Sequence, residues 1–274
     1  MPSLPPEPAL VSRRRLLGLA GAGTLAALLP ACGTDGAVRD SPFARAYCVP
    51  RSTLGAHREL DGLPLVYEVD ERRSSFSFEA GFYSSLAGWL QSYRRATGTP
   101  QPDQVWSYGA WTDGGSACDS WHNAGRAFDL ARLRLEGGGF VSCRYDQWQQ
   151  STGAARERAL RQYWALAASL HLDFAYVLTY LYNAAHHNHI HIDNGRSGGQ
   201  PSTLSTRSQV QLQAVQAICR YLWNEPVEIT GRWDQATRRA SRSVLDRAEV
   251  GDALDESVES WRSFLTASVA RGVD

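Results

Sequence analysis

One short stretch, residues 186–193, restricts the fold of this chain more than any other, because it holds four of the seven histidines and reads HHNHIHID. Side chains on a β-strand point alternately to its two faces. His189, His191 and Asp193 would therefore project from one face, while the two isoleucines between them project into a core. A flexible histidine tag has no such alternation. The stretch predicts a strand that presents imidazoles on one side of a sheet.

A second group of candidate ligands lies upstream. His122 and Asp129 are separated by an odd number of residues, which would place them on opposite faces of one continuous strand. The turn-forming residues 123–125 (Asn-Ala-Gly) lie between them and can reset the register. Asp129 then lies opposite the core-facing side of its strand. Imidazole and carboxylate groups are zinc ligands, and a catalytic zinc site leaves one position for water.

Each of these residues also has a structural interpretation. A single histidine such as His122 is more often hydrogen-bonded within the fold than bound to a metal. Asp129 could form an ion pair with Arg126 or Arg132. A histidine run can also scavenge metal ions, and such binding would not depend on Asp129.

The N-terminal segment has the features of an export signal. Residues 12–15 (Ser-Arg-Arg-Arg) precede an uncharged run over 16–34, and this start resembles a twin-arginine signal. Residues 29–32 (Leu-Pro-Ala-Cys) resemble a bacterial lipobox, which implies lipid on Cys32 and removal of residues 1–31. Residues 32–46 would then be a tether from the membrane. A transmembrane anchor is the alternative, which the glycines and Pro30 disfavour.

Five cysteines fit an exported protein. Without Cys32 an even number remains, as expected of disulfides in an oxidising compartment. Of the three possible pairings, we favour Cys118 with Cys143, which brackets the first ligand motif, and Cys48 with Cys219. The alternative is four buried thiols. A zinc site formed by all four is disfavoured because no C-x2-C spacing occurs.

The charge composition gives no indication of nucleic-acid binding. Lys+Arg and Asp+Glu are each 28, so the formal net charge is zero and no broad basic field attracts nucleic acid. We expect recognition by a local site, and no protein partner is predicted.

Apolar periodicity predicts the remaining elements. The expected strands cover 63–69, 105–111, 174–180 and 190–193, and the expected helices cover about 78–97, 154–170, 210–222, 236–248 and 257–269. Strands and helices that do not alternate regularly predict an α+β fold, with a small, largely antiparallel sheet and flanking helices. The predicted domains are the sheet-containing domain over 47–196, a linker over 197–206, and a three-helix unit over 207–274.

The two ligand motifs together resemble a known family. Residues 120–129 (SWHNAGRAFD) fit S-x-H-x-x-G-x-A-x-D without a gap, and residues 107–110 (SYGA) fit a segment upstream of it. With the histidine stretch, they resemble the extensin-like C-terminal domain of bacteria. That domain is similar to D-alanyl-D-alanine metallopeptidases, murein endopeptidases and the hedgehog fold. The resemblance covers about residues 48–195, and Trp121 departs from the small or acidic residue that is common there.

This resemblance implies a ligand set and a base. His122, Asp129 and His191 would hold Zn²⁺, and the general base would be His189, with His186 as the second candidate. Some relatives have a glutamate base three residues before the last ligand, where this chain has an asparagine that cannot take a proton. Ser120 would orient a ligand, and Tyr108 would either contact substrate or pack in the interior.

The C-terminal unit carries a weaker resemblance. Residues 211–216 and 229–237, with the pattern G-x-x-D-x-x-T, resemble a three-helix peptidoglycan-binding domain. The alternative is a helical appendage that packs on the first domain.

The predicted function is an exported, lipid-anchored zinc metallopeptidase that hydrolyses peptidoglycan cross-links or stem peptides, as a D,D-carboxypeptidase or endopeptidase. The alternative is a non-catalytic, metal-containing lipoprotein that binds the cell wall. It would face the periplasm or cell exterior.

Overall fold

A mixed sheet with helices packed on it forms the structure. The computed structural model describes residues 48–114, 118–195 and 203–272. The predicted signal, Cys32, the tether and most of the predicted linker lie outside the described residues. The described residues fall within a single compact unit. None of the described helices is both long and apolar enough to cross a membrane.

The described strands alternate with irregular loops. In chain order they are Gly55–His57 (β1), Glu59–Leu60 (β2), Leu63–Tyr67 (β3), Arg72–Arg73 (β4), Phe76–Phe78 (β5), Pro102–Gly109 (β6), Ala127–Leu135 (β7), Phe140–Ser142 (β8), Tyr176–Leu178 (β9) and Ile190–Asp193 (β10). The main sheet has the order β2-β3-β6-β7-β10-β9, with β4 on β3 and β8 on β7, while β1 pairs with β5. Among the described pairs, β3 with β6 is the parallel one.

The described helices are Ala80–Thr97 (α1), Tyr145–Trp148 (α2), Gly153–Asp173 (α3), Gln209–Trp223 (α4), Gln235–Arg247 (α5) and Val258–Arg271 (α6). The carboxylate of Glu79 caps α1 by accepting from the backbone N–H groups of Gly81 and Phe82. The apolar stripe of α1 is buried, and the helix ends before Gly98. This architecture confirms the predicted α+β class with a largely antiparallel sheet.

The pairing of β10 with β7 positions the candidate ligands. The strands are antiparallel, and His191 lies directly opposite Asp129. Ile190 and Ile192 are fully buried on the other face, as the alternation predicts. The expected strand over 190–193 is confirmed in both bounds, and His189 immediately precedes it.

The C-terminal helices share a core with the sheet-containing part. Helices α4 and α6 both pack against α3, and α6 also contacts α1. Trp261 and Phe264 of α6 are fully buried in the cluster that includes Trp164 and Leu166 of α3. The three predicted C-terminal helices are therefore present. They pack on the first part of the chain, which is the alternative to a separate binding domain.

The G-x-x-D-x-x-T pattern of this unit is used in folding. The Asp234 carboxylate accepts from the Thr237 backbone N–H at 2.8 Å and caps α5. The buried Gln216 amide donates to the Thr237 hydroxyl at 2.7 Å and accepts from the Gly231 N–H at 2.8 Å. Gln216 and Thr237 are fully buried. Gln216 and Thr237 thus stabilise the turn from the interior, and Asp234 stabilises the start of the helix.

The favoured disulfide pairing is wrong. Cys48 bonds to Cys118, while Cys143 and Cys219 are free and buried. The Val49 N–H donates to the Asn123 carbonyl at 3.0 Å, which brings the start of the described chain to the first ligand motif. Cys143 is closer to Cys118 along the sequence than Cys48 is, but its thiol is buried in the core and forms no disulfide. Burial raises the pKa of both free thiols, so they stay protonated.

Candidate metal centre

A short turn holds the first candidate ligand. His122 lies in the 3-10 turn Trp121–Ala124, whose preceding residue Ser120 accepts from the His122 backbone N–H at 3.3 Å. The Asn123 side chain accepts in return from the Ser120 N–H at 3.1 Å. Gly125 ends the turn with a φ of 65°, where an added Cβ would lie 3.0 Å from the Glu79 nitrogen. This turn resets the register between the two ligands, and Ser120 fixes the backbone of His122 rather than its ring.

Three side-chain atoms converge on one point. The His122 Nε2 lies 3.2 Å from the Asp129 Oδ1 and 3.2 Å from the His191 Nδ1, and the last two atoms are 2.9 Å apart. Tetrahedral zinc with bonds of about 2.0–2.1 Å would place its ligand atoms about 3.3 Å from one another. These three residues therefore have the spacing needed to hold a metal ion.

In His122 and His191, the ring nitrogen that faces away from Asp129 (the outer nitrogen) forms a hydrogen bond. This bond fixes the orientation of the ring, and with it the direction of the inner nitrogen that faces Asp129. The His122 Nδ1 hydrogen-bonds to the Ala110 carbonyl. The His191 Nε2 lies 3.0 Å from the Asp193 carboxylate, which also accepts from the Gly195 N–H. Because a carbonyl and a carboxylate only accept, each outer nitrogen carries the hydrogen. In the neutral rings, the inner nitrogens then direct lone pairs at the Asp129 carboxylate.

Three acceptors that face one another require a cation between them, either a metal ion or a shared proton. Burial would raise the pKa of Asp129, but hydrogen bonds from His122 and His191 hold it well below its ordinary value. Burial lowers the pKa of His191, and its bonds to Asp129 and Asp193 outweigh this and raise it to about 9. The arrangement is strongly attractive for positive charge.

The two predicted base candidates lie beside this triangle. The His189 Nε2 is 3.4 Å from the Asp129 Oδ1, and its Nδ1 is 2.7 Å from the Asn188 Oδ1. The His186 ring is 5.1 Å from the His189 ring, and its Nδ1 is 2.7 Å from the Asn183 Oδ1. Burial lowers the pKa of both imidazoles, that of His186 to about 4. Both can therefore be neutral near pH 7, as a general base requires.

Tyr108 belongs to a charged network behind the histidines. Its ring is 6.0 Å from the His189 ring, edge to face, and 5.7 Å from the Arg144 guanidinium. The buried Glu68 carboxylate binds Arg144 at 2.6 Å and Arg132 at 2.8 Å. Sequence reasoning missed this network because its members come from separate strands and have no shared motif. Glu68 and Arg144 would be recognised only once β3, β6, β7 and β8 are known to belong to one sheet, with β8 paired to β7.

The candidate metal centre opens into a cleft of about 420 Å³. Asp119, Trp121 and Leu178 line it together with the three candidate ligands and with His186 and His189. No arginine or lysine is among the described residues that line it. The Arg126 guanidinium packs over the Trp121 ring at 4.9 Å. The cleft is accessible from solvent, as a substrate site must be.

Comparison with known proteins agrees with this segment. No curated protein and no solved structure gave a match. A family model described as "Extensin-like protein C-terminus" matches residues 111–202. The matched part, about a third of the chain, includes His122, Asp129, His186, His189 and His191. Residues 111–202 are therefore similar to the extensin-like C-terminal domain, and this segment contains the candidate metal centre.

Proposed function

We propose that this protein is a zinc-dependent hydrolase that cleaves peptide bonds in peptidoglycan, as a D,D-carboxypeptidase or endopeptidase. The observation that carries the proposal is the convergence of His122, Asp129 and His191 as three acceptors, with both outer imidazole nitrogens already hydrogen-bonded. Three protein ligands leave the fourth position of a catalytic zinc site open. The open cleft supports access of a polymer to that position.

The residues around the ligands support a hydrolytic role. When bound, a zinc ion would polarise the scissile carbonyl and make water more acidic. His189 would accept the proton of the attacking water at Nε2 and return it to the leaving amine. His186 is the second candidate for that role, since its ring contacts that of His189. Tyr108 is half-buried behind His189, which favours packing over direct contact with substrate.

The peptidoglycan substrate rests on the family resemblance together with the exported, lipid-anchored location that the N-terminal sequence indicates. The disulfide is consistent with an oxidising compartment. The competing proposal, a non-catalytic wall-binding lipoprotein, loses part of its support because two residues of the G-x-x-D-x-x-T pattern have a role in folding: Thr237 is fully buried and Asp234 caps α5.

Digestion of purified sacculi tests the activity. We expect the full chain, purified without a tag, to contain one zinc and to release muropeptides that mass spectrometry identifies as products of peptide-bond cleavage. Asp129→Ala should lose both zinc and activity. His57→Ala is the matched control, because His57 stacks on Tyr83 away from the cleft. Zinc without any product would support the non-catalytic alternative, and stoichiometric zinc in Asp129→Ala would refute the ligand set.

The anchor is tested separately. Labelled palmitate should enter the wild-type protein in a bacterial host and not Cys32→Ser. Several acyl chains give stable membrane attachment, whereas one gives only weak attachment. Equal labelling of both forms would refute lipidation at Cys32.

A further inference from the structure

Asn188, the residue before the candidate base His189, contacts the imidazole of that base. Asn188 cannot act as a base, yet its Oδ1 lies 2.7 Å from the His189 Nδ1. The other nitrogen of His189, Nε2, lies 3.4 Å from the Asp129 Oδ1, at the edge of the ligand triangle. The imidazole is therefore held between an amide on one side and the metal centre on the other.

The amide of Asn188 determines which nitrogen of His189 carries the hydrogen. An amide oxygen only accepts, so a bond to it requires hydrogen on Nδ1. The neutral ring then has its lone pair on Nε2, directed at the cleft. The opposite tautomer would place a hydrogen on Nε2, and His189 could then not accept a proton from water through that nitrogen.

Tyr108 determines which way the amide faces. Burial raises the pKa of the Tyr108 hydroxyl, and a side-chain hydrogen bond with Asn188 opposes that increase. Because the Asn188 oxygen lies 2.7 Å from the His189 Nδ1, the NH2 group is the part of the amide that remains for the bond to Tyr108. With its NH2 group on Tyr108, the amide turns its oxygen to His189, which is the orientation that the 2.7 Å contact shows.

An ion cluster around the buried Glu68 carboxylate holds both Tyr108 and the backbone before Asn188. Arg144 lies over the Tyr108 ring and binds the Glu68 carboxylate at 2.6 Å and the Asp146 carboxylate at 2.8 Å. The Asp146 backbone N–H donates to the His187 carbonyl at 2.8 Å. The same cluster thus positions both the Tyr108 side chain and the main chain at His187.

We propose that Asn188 is a positioning residue that fixes the Nδ1–H tautomer of His189, with Tyr108 orienting its amide. This inference rests on the proposed hydrolytic function. As water attacks the scissile carbon, one water O–H bond breaks and an Nε2–H bond forms on His189. The Nδ1–H stays on the ring, donated to Asn188. The Nε2 proton then passes to the leaving amine, which restores the neutral ring.

The test uses the zinc-loaded full chain and variants of Asn188. Asn188→Leu keeps the size of the side chain and removes the acceptor, whereas Asn188→Asp keeps an acceptor oxygen. Asn183→Leu is the matched control, because Asn183 makes the same 2.7 Å contact with the Nδ1 of His186. Nitrogen-15 NMR of the imidazoles at one fixed pH reports the tautomer directly, without reference to activity, and the His189 signals are assigned by comparison with His189→Gln.

We expect wild-type His189 to carry hydrogen on Nδ1, and Asn188→Leu to show a mixture of tautomers with one zinc retained. Its kcat should fall about 10- to 100-fold with KM nearly unchanged, which is less than the full contribution of a general base, about 10²–10⁴-fold. Asn188→Asp should restore most of kcat. Tyr108→Phe should change kcat and the tautomer mixture in the same direction as Asn188→Leu, but by less.

Three outcomes would overturn the inference: a wild-type Nε2–H tautomer, direct coordination of zinc by His189, or full kcat in Asn188→Leu. A loss of kcat in Asn183→Leu alone would move the role to the His186 pair. If the wild type hydrolyses no muropeptide, the proposed function fails, and the NMR spectra still decide whether Asn188 sets the tautomer.

Discussion

At the scale of single residues, the sequence predicted which groups meet but not what supports them. Alternation along residues 189–193 is a local property of a strand, so His191 could be placed on the cleft face before the fold was known. The partners of the outer imidazole nitrogens, the Ala110 carbonyl and the Asp193 carboxylate, depend on exact side-chain directions. Asp193 was placed on the correct face, yet nothing in its spacing indicated that it binds His191.

Asp193 provides a test of this support. Asp193→Ala should weaken zinc binding about 10- to 100-fold, because loss of an outer partner leaves the ligand ring free to turn. Competition with a chelator of known affinity measures the change. Asp193→Asn keeps an oxygen that can accept from the His191 Nε2 and should lose less. Equal affinity in the wild type and Asp193→Ala would show that packing alone orients His191.

At the scale of elements, local periodicity predicted five of the six described α-helices and four of the ten described strands to within a few residues, whereas long-range pairing was not predictable. The parallel pairing of β3 with β6 joins segments separated by the whole of α1. The Cys48–Cys118 bond likewise depends on how two loops meet. The preference for Cys118 with Cys143 followed distance along the chain, which says little about distance in space.

The disulfide should stabilise the fold measurably. It closes a loop with a sequence separation of 70, for which the chain-entropy model gives about 4 kcal/mol. Chemical unfolding of Cys48→Ser/Cys118→Ser should show a free energy of unfolding lower by up to that amount, with no further response to a thiol reductant. The wild type and Cys143→Ala should both respond to the reductant. A reductant effect that persists in the double variant would contradict the pairing.

The contact between α3 and α6 should make stability depend on pH. His171 is fully buried, neither ring nitrogen has a hydrogen-bond partner, and its ring packs edge to face on Trp261. Burial lowers the pKa of His171 to about 4, from an ordinary value of 6.5. The unfolded chain therefore binds the proton more readily, and folded-state stability falls as the pH drops from about 6.5 to 4.

This contribution amounts to about 3 kcal/mol over that interval, since one pKa unit corresponds to about 1.4 kcal/mol. Urea unfolding of the wild type and His171→Phe at several pH values separates it from other titrating groups, because only the difference between the two proteins is used. Parallel stability curves for both proteins would show that His171 is not the responsible group.

At the scale of the whole molecule, the C-terminal helices are part of the core and not an attached module. A chain that ends at residue 202 would lack α4, α5 and α6 and would expose the side of α3 that they cover. We expect this truncation to be insoluble or to unfold without a cooperative transition in thermal circular dichroism. Removal of residues 1–46 is the control and should leave the transition intact. A cooperative transition near the wild-type temperature in the C-terminal truncation would establish two independent domains.

The cystine also limits where the cleft can act. Cys118 lies just before Ser120 and His122, so the bond to Cys48 ties the candidate metal centre to the end of the predicted tether. If Cys32 carries lipid, the segment from Cys32 to Cys48 spans 48 − 32 = 16 residues. At about 3.3–3.6 Å per residue, it reaches at most about 50–60 Å from the membrane surface. If peptidoglycan is the substrate, as proposed, only wall strands within that layer could enter the cleft. Residues inserted between Cys32 and Cys48 would then deepen the layer in proportion.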